Sequence, residues 1–257
     1  MSLHIAVHGR GPPLVLLHGW ALHGGVFDPL VERLSDRFEL HVVDLPGHGR
    51  SRDSAVPLRL QACVEAICDA TPPAAWLGWS LGGLFALKAA AVSGQVRALA
   101  MVSSVPRFTT GSDWPHAVAP AVFARFGVEL AQDYRGTLER FLALDLQHGP
   151  QGQAELRAMR KMLDVRGAPT PAALQAGLDL LEHTDLRHTL PGLGLPSLWI
   201  AGGRDRLVHP KGMKAAAALV PGARLVDIAG GGHAPFLAHL EQVEAALTPF
   251  LLVAHAA

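Results

Sequence analysis

The sequence predicts an α/β fold: one mostly parallel central sheet flanked by helices, interrupted by an all-helical insertion. Three observations carry this. Short β-rich apolar runs alternate with helical patterns at both ends of the chain, as a parallel sheet wrapped by helices requires. Between about residues 106 and 188 the alternation stops and only helical patterns remain. The 257 residues, 49% hydrophobic and 17% charged, suffice for one large core with a modest insertion.

In chain order, strands are expected over 3–7, 14–17, 40–43, 76–78, 98–102, 197–201 and 224–228. Their near-continuous apolar character fits strands buried on both faces. Core helices are expected over 27–34, 60–70, 81–92, 211–219 and 240–252. Pro221 and Gly222 mark a turn before the last strand. Inside the insertion, helical patterns cover 117–126, 130–144, 154–163 and 171–181. About 80 residues of loosely amphipathic helix need a core to bury against. The expected organisation is therefore a core of 1–105 plus 189–257 with 106–188 as a lid, not a second domain.

Composition excludes several classes. The 22 Lys and Arg residues balance 22 Asp and Glu, so nothing favours nucleic acid or an anionic membrane as a partner. The N-terminal stretch lacks the charged-then-apolar layout of a signal peptide, and no apolar run approaches the roughly 20 residues of a spanning helix. Cys63 and Cys68 lie five apart in a helical stretch, a poor basis for a disulfide or metal site. A reducing, cytoplasmic setting is expected, with no metal and no cofactor.

The chemistry begins at Trp76-Leu77-Gly78-Trp79-Ser80-Leu81-Gly82-Gly83, which holds G-x-S-x-G directly after an expected strand and before an expected helix. Such a turn strains the serine backbone, exposes its hydroxyl and needs glycines on either side to let neighbouring chain approach. A hydroxyl is a poor nucleophile without a base, and histidine is the usual one. Of 14 histidines, His233 stands in Gly230-Gly231-Gly232-His233-Ala234-Pro235-Phe236 after the last strand, a loop delivered to the same sheet edge as the serine. The acid should fall between them in the chain, and Asp205 follows Ile200-Ala201-Gly202-Gly203-Arg204 at a strand end. The turn at Ser103 and Ser104, where an acid could also stand, has none. Asp44 competes, but it precedes the serine and reads as part of a structural turn. Leu17-His18-Gly19-Trp20 ends an early strand, so the backbone N–H groups of Trp20 and Leu81 are the expected oxyanion donors. His18 would orient that loop rather than transfer protons. Trp20 and Trp79 flank the serine and could wall an apolar acyl channel.

With these motifs in place the chain resembles the α/β-hydrolase superfamily over nearly its whole length. It most resembles the pimeloyl-[acyl-carrier protein] methyl ester esterases of biotin synthesis. The resemblance is carried by LVLLHGW at 14–20, VDLPG at 43–47 with GRSR at 49–52, WLGWSLGGL at 76–84, and ERFLAL at 139–144. VSSVP at 102–106 with DWP at 113–115, TDLR at 184–187 and HAPF at 233–236 complete it. It implies a carboxylesterase whose partner is an acyl-carrier protein bearing a pimeloyl methyl ester. It also implies substrate contacts at Trp20, Ser80, Leu81, Phe141, Leu142, Ala143, Leu144, Asp145 and His233. Phe141 and Leu144, three apart on an expected helix, share a face, for which lid-to-core packing is the competing reading. Carrier docking would use lid cations, with Arg135, Arg140, Arg157, Arg160 and Lys161 as candidates and a plain solvated face as the alternative for each. A generic short-chain carboxylesterase acting on small esters shares every catalytic element and is the alternative function. A monomer is the expected state.

Overall fold

The computed structural model describes residues 2–133, 136, 137, 140, 157, 162 and 165–256. In chain order the strands are β1 (Ile5–Gly9), β2 (Pro13–Leu17), β3 (Glu39–Val43), β4 (Ala74–Trp79), β5 (Val96–Val102), β6 (Ser197–Gly202) and β7 (Arg224–Ile228). The described helices are α1 (Asp28–Leu34), α2 (Leu60–Ala70), α3 (Leu81–Val92), α4 (Pro120–Gln132), α5 (Pro171–His183), α6 (Pro210–Ala218), α7 (Pro235–Ala238) and α8 (Leu240–Ala256). All seven strands join one sheet in the order β1-β3-β2-β4-β5-β6-β7. Only β1 runs antiparallel, with Ile5 opposite Val43 and Gly9 opposite Glu39; every other pairing is parallel.

The expected burial on both faces holds for the interior strands and fails at the edges. β4 and β6 are buried throughout, whereas β7 exposes Arg224, Leu225 and Asp227, and β1 is solvated from Val7 to Gly9. An edge strand has a partner on one side only, so its apolar signal is weak. The first strand accordingly starts two residues later than the sequence suggests. Proline at the first helical turn of α1, α4, α5 and α6 starts helices where a missing N–H costs nothing. α8 runs four residues beyond its expected end despite Pro249. Pro249 and Ala245 are both exposed, so water can satisfy the carbonyl that loses its helical donor.

Between β5 and β6 the described residues hold helices and two isolated bridges, Thr109 with Val118 and Gly111 with Trp114. The sequence suggests one helix over 117–126 and another from 130; the structure has the single helix α4. Ala119 is extended before Pro120, which sets the start. Phe123, Phe126 and Leu130 are buried at a spacing that keeps one apolar face continuous through Gly127. α4 packs against α5, and α5 packs against α3. The remainder of the expected 130–144 and 154–163 helices lies largely outside the described residues. The parallel pairings fix the site, because β2, β4, β6 and β7 all end at one edge of the sheet.

Candidate active site

Ser80 sits between the end of β4 and the start of α3 with φ 53° and ψ −123°, a region side chains rarely occupy. Such strain costs about 1–3 kcal/mol and persists only where the surroundings hold it. Here the Ser80 amide donates to Val102 O (3.1 Å), while Ser80 O accepts from the Gly83 amide (2.9 Å) and the Ser104 hydroxyl (2.7 Å). Gly82 is required by close approach: a Cβ there would stand 2.1 Å from Leu17 O. The turn is therefore clamped between β2 and β5. Ser104, in the sequence only a turn residue standing where an acid could, braces the elbow with its hydroxyl.

His233 Nε2 lies 2.8 Å from Ser80 Oγ, and His233 Nδ1 lies 2.9 Å from Asp205 Oδ2. All three residues are buried, none above 4% exposed. Asp205 Oδ1 accepts the amides of Leu207 (2.9 Å) and Val208 (2.7 Å), so its free oxygen is the one aimed at the imidazole. The two loops lock together by backbone bonds: Arg204 N donates to Gly231 O (2.9 Å) and Gly203 N to Ile228 O (3.0 Å). Trp79 Nε1–H donates to His233 O at 2.7 Å, and its ring meets Phe236 edge-on at 5.4 Å. Trp79, expected as a channel wall, is thus a brace beneath the histidine loop.

On the opposite side of Ser80, Gly19 abuts the Trp79 ring and Ser80 Cβ, which brings the loop bearing Trp20 against the serine. Leu81 opens α3, so its own N–H has no intrahelical acceptor. His18 is fully buried, bonds Gly19 O through Nδ1 (2.8 Å) and accepts the Leu45 amide at Nε2 (2.9 Å). That pair of bonds fixes a neutral imidazole protonated at Nδ1. Burial is also the main reason its pKa is pushed down to about 3. His48, its ring 5.2 Å away, is pushed down to about 4, again chiefly by burial.

Asp44, read as structural, is buried and accepts the amides of Gly24 (2.7 Å) and Arg50 (2.8 Å), with Arg166 Nη1 at 3.4 Å. Burial alone would raise its carboxyl; the neighbouring His18 imidazole first, then the Arg50 and Gly24 amides and the Arg166 guanidinium, outweigh that and hold it below the usual range. The same region joins core to insertion. His23 Nε2 bonds Met162 O (2.9 Å), Thr170 N donates to Gly47 O (2.8 Å), and the Arg52 guanidinium donates to Ala168 O. Trp20 Nε1–H reaches Leu174 O at 2.9 Å.

Of the expected lid contacts, Phe141, Leu142, Ala143, Leu144 and Asp145 lie outside the described residues, as do Arg135, Arg160 and Lys161. Arg157 is exposed. Arg140 pairs with Glu129 (3.0 Å) and Asp133 (3.6 Å). The DWP and TDLR strings, distant in sequence, meet: Arg187 bonds Asp185 (2.7 Å) and Asp113 (2.9 Å) and lies 5.4 Å over the Trp114 ring. Among the described residues no group of three or more His, Cys, Asp or Glu is placed to hold a metal ion, and no helix is long and apolar enough to cross a membrane.

A strained serine between strand and helix, bonded to a histidine that is bonded in turn to a carboxylate, both from later strand ends, defines a nucleophile-elbow hydrolase scaffold. The chain belongs to the α/β hydrolase fold family, whose model matches residues 12–240. It is 64% identical over 249 residues to the pimeloyl-[acyl-carrier protein] methyl ester esterase of Xanthomonas axonopodis pv. citri (strain 306), covering 97% of this chain and 98% of that one. It is equally similar, at 64% over 249 residues, to the esterase of the same name from Stenotrophomonas maltophilia (strain K279a), covering 97% and 96%. Among solved structures, an esterase from Exiguobacterium antarcticum superposes with a TM-score of 0.87 at 22% identity over 97% of this chain and 95% of that one. A bromoperoxidase from Bacillus anthracis does so with a TM-score of 0.87 at 21% identity, over the same shares. At that identity both speak for the fold alone.

Proposed function

We propose that this chain is a serine carboxylesterase that hydrolyses the methyl ester of a pimeloyl chain carried on acyl-carrier protein. The observation that carries the chemistry is the buried relay from Ser80 Oγ through His233 to Asp205, at 2.8 Å and 2.9 Å. The near-full-length identity to esterases of that name supports the substrate.

In this reading Ser80 Oγ attacks the ester carbonyl while His233 Nε2 takes its proton. Asp205 holds the imidazole tautomer and stabilises the imidazolium without taking the proton. The Trp20 and Leu81 amides receive the oxyanion, each worth about 10²–10³ in rate. The intermediate collapses, methanol leaves with the proton from His233, and water then cleaves the acyl-enzyme by the same route. The reading calls for no metal or organic cofactor. Residues 106–188 form the lid over this site, Phe141, Leu142, Ala143, Leu144 and Asp145 contribute acyl contacts, and lid cations receive the acidic carrier. Arg140 and Arg157 are two of these cations. Because exposed ion pairs are worth little, Arg140 can exchange Glu129 and Asp133 for carrier carboxylates at small cost. The enzyme works as a cytoplasmic monomer.

The test is methanol release from pimeloyl-carrier methyl ester, measured beside free short methyl esters and carriers bearing other acyl lengths. The expected result is a kcat/KM on the pimeloyl carrier at least about tenfold above that on free short esters. Equal efficiency on free short esters, with no benefit from the carrier, would overturn the substrate assignment in favour of a generic esterase. Ser80→Ala should abolish turnover on all of them.

A further inference from the structure

One turn of α5 bears on the side chains of both residues whose amides frame the oxyanion position. Trp20 Nε1–H donates to Leu174 O at 2.9 Å, a bond that spans 154 residues of sequence. Three residues on, and so on the same helix face, α5 passes the indole at Gly177. A Cβ there would stand 2.5 Å from Trp20 Cδ1, 2.9 Å from Trp20 Nε1 and 3.4 Å from Leu81 Cδ2. Only glycine lets the helix lie this close. Trp20 itself is 2% exposed. The residue after it, Ala21, is held at φ 66°, where a non-glycine backbone stays only if its surroundings insist. His18 fixes the loop before Trp20 through Gly19 O and the Leu45 amide.

We propose that the 174–177 turn of α5 is a positioning element for the Trp20 amide, acting through the indole that it grips by hydrogen bond and by contact. The proposal rests on the reading of Trp20 N–H as an oxyanion donor. Its consequence is that oxyanion stabilisation depends on where the insertion sits, whereas proton transfer does not. A shift of a few tenths of an ångström in α5 is passed along a rigid aromatic ring to an amide whose catalytic value depends on its distance from the developing charge.

A double-mutant cycle on hydrolysis of a p-nitrophenyl short-chain ester tests this, with urea unfolding midpoints to establish that each variant is folded. Gly177→Ala should lower kcat about tenfold or more while KM moves less than about twofold, the split expected when an interaction made only in the transition state is lost. Trp20→Phe, which keeps a ring and loses the bond to Leu174 O, should lower kcat in the same way. In a Trp20→Ala background, Gly177→Ala should cost less than about twofold, because the ring that transmits the displacement is gone. A kcat loss from Gly177→Ala that carries over in full to that background overturns the proposal. So does a raised KM with unchanged kcat. If Gly177→Ala does not fold, Trp20→Phe decides: a parent-like kcat overturns the proposal. Ser80→Ala in the same assay separates this failure from that of the serine-esterase reading on which it also rests, since only the failure of that reading leaves Ser80→Ala active.

Discussion

The two flanks of Ser80 are held by different parts of the chain. On the base side, Asp205 and His233 come from the ends of neighbouring strands β6 and β7, and core residues restrain them. The Leu207 and Val208 amides aim the carboxylate, and Trp79 holds the histidine carbonyl. On the oxyanion side, His18 pins the start of the loop to the core through Leu45, but the Trp20 indole is held by α5, inside the stretch between β5 and β6. Ser80, His233 and Asp205, the groups of the proposed proton relay, all stand in the core. The second flank is shared between the core and the insertion, and it is the one that substrate docking could influence.

The sharpest way to break this contrast is at Asp205. Asn in its place cannot satisfy both sides: an amide oxygen turned to His233 Nδ1 presents the NH₂ group to the Leu207 and Val208 amides, and the reverse puts a donor against the imidazole. The first orientation sets a donor against two buried donors, so the second is favoured, and it moves the imidazole proton to Nε2, which can then no longer accept from Ser80. Asp205→Asn should lower kcat by about 10³–10⁴, equally on free and carrier-borne esters, with little change in the urea midpoint. A loss confined to carrier substrates would show that the base side too depends on the insertion.

Acid should find the other flank first. His18 and His48 are buried neutral beside the Trp20 loop, with pKa values pushed down to about 3 and about 4. Below pH 6.5 the unfolded chain binds protons at both sites while the native chain does not, so stability falls as pH falls. The loss continues until the folded pKa values are reached. Between pH 6.5 and 5 each histidine should remove about 2 kcal/mol, visible as a falling urea midpoint. His48→Asn, whose amide can still donate to Pro46 O, should remove about half of that slope. A midpoint flat from pH 7 to 5 would mean that these imidazoles are not buried neutral.

How much of this was legible in the sequence follows the same division. The interior strands and the triad were readable because buried strands need continuous apolar runs. A serine elbow needs glycines at fixed positions, and parallel strands deliver the residues after them to one edge. The edge strand β1 was misplaced by two residues because solvated pairing leaves little hydrophobic trace. The sequence suggests two helices where α4 is one, because the apolar face from Phe123 to Leu130 runs on through Gly127. The grip of α5 on Trp20 was not readable at all. Its acceptor is a backbone carbonyl, which every residue carries, and a glycine kept for close approach looks like any other helical glycine. The candidate acyl contacts at 141–145 fall outside the described residues, so they rest on resemblance.

The smallest effect should come from the exposed base of the insertion, where Arg187 ties Asp113 to Asp185 over Trp114. Hydrogen bonds donated to these two carboxylates are the largest influence raising the guanidinium pKa, and the pKa values of both acids are lowered, first of all by their bonds to Arg187. The acids are well solvated, however, and water and salt screen such pairs. Arg187→Met keeps the apolar stem against Trp114 and removes the charge. It should lower Tm by no more than about 3 °C, with the difference shrinking further in 1 M NaCl, and leave kcat on free esters unchanged. The core flank does not feel this clamp, and α5 is already tied to Trp20, Gly47 and α3 independently of it. A large Tm loss, or a drop in kcat on free esters, would mean that the surface clamp sets the position of α5. The divide between a core-held base side and a shared oxyanion side would then extend to the outer edge of the molecule.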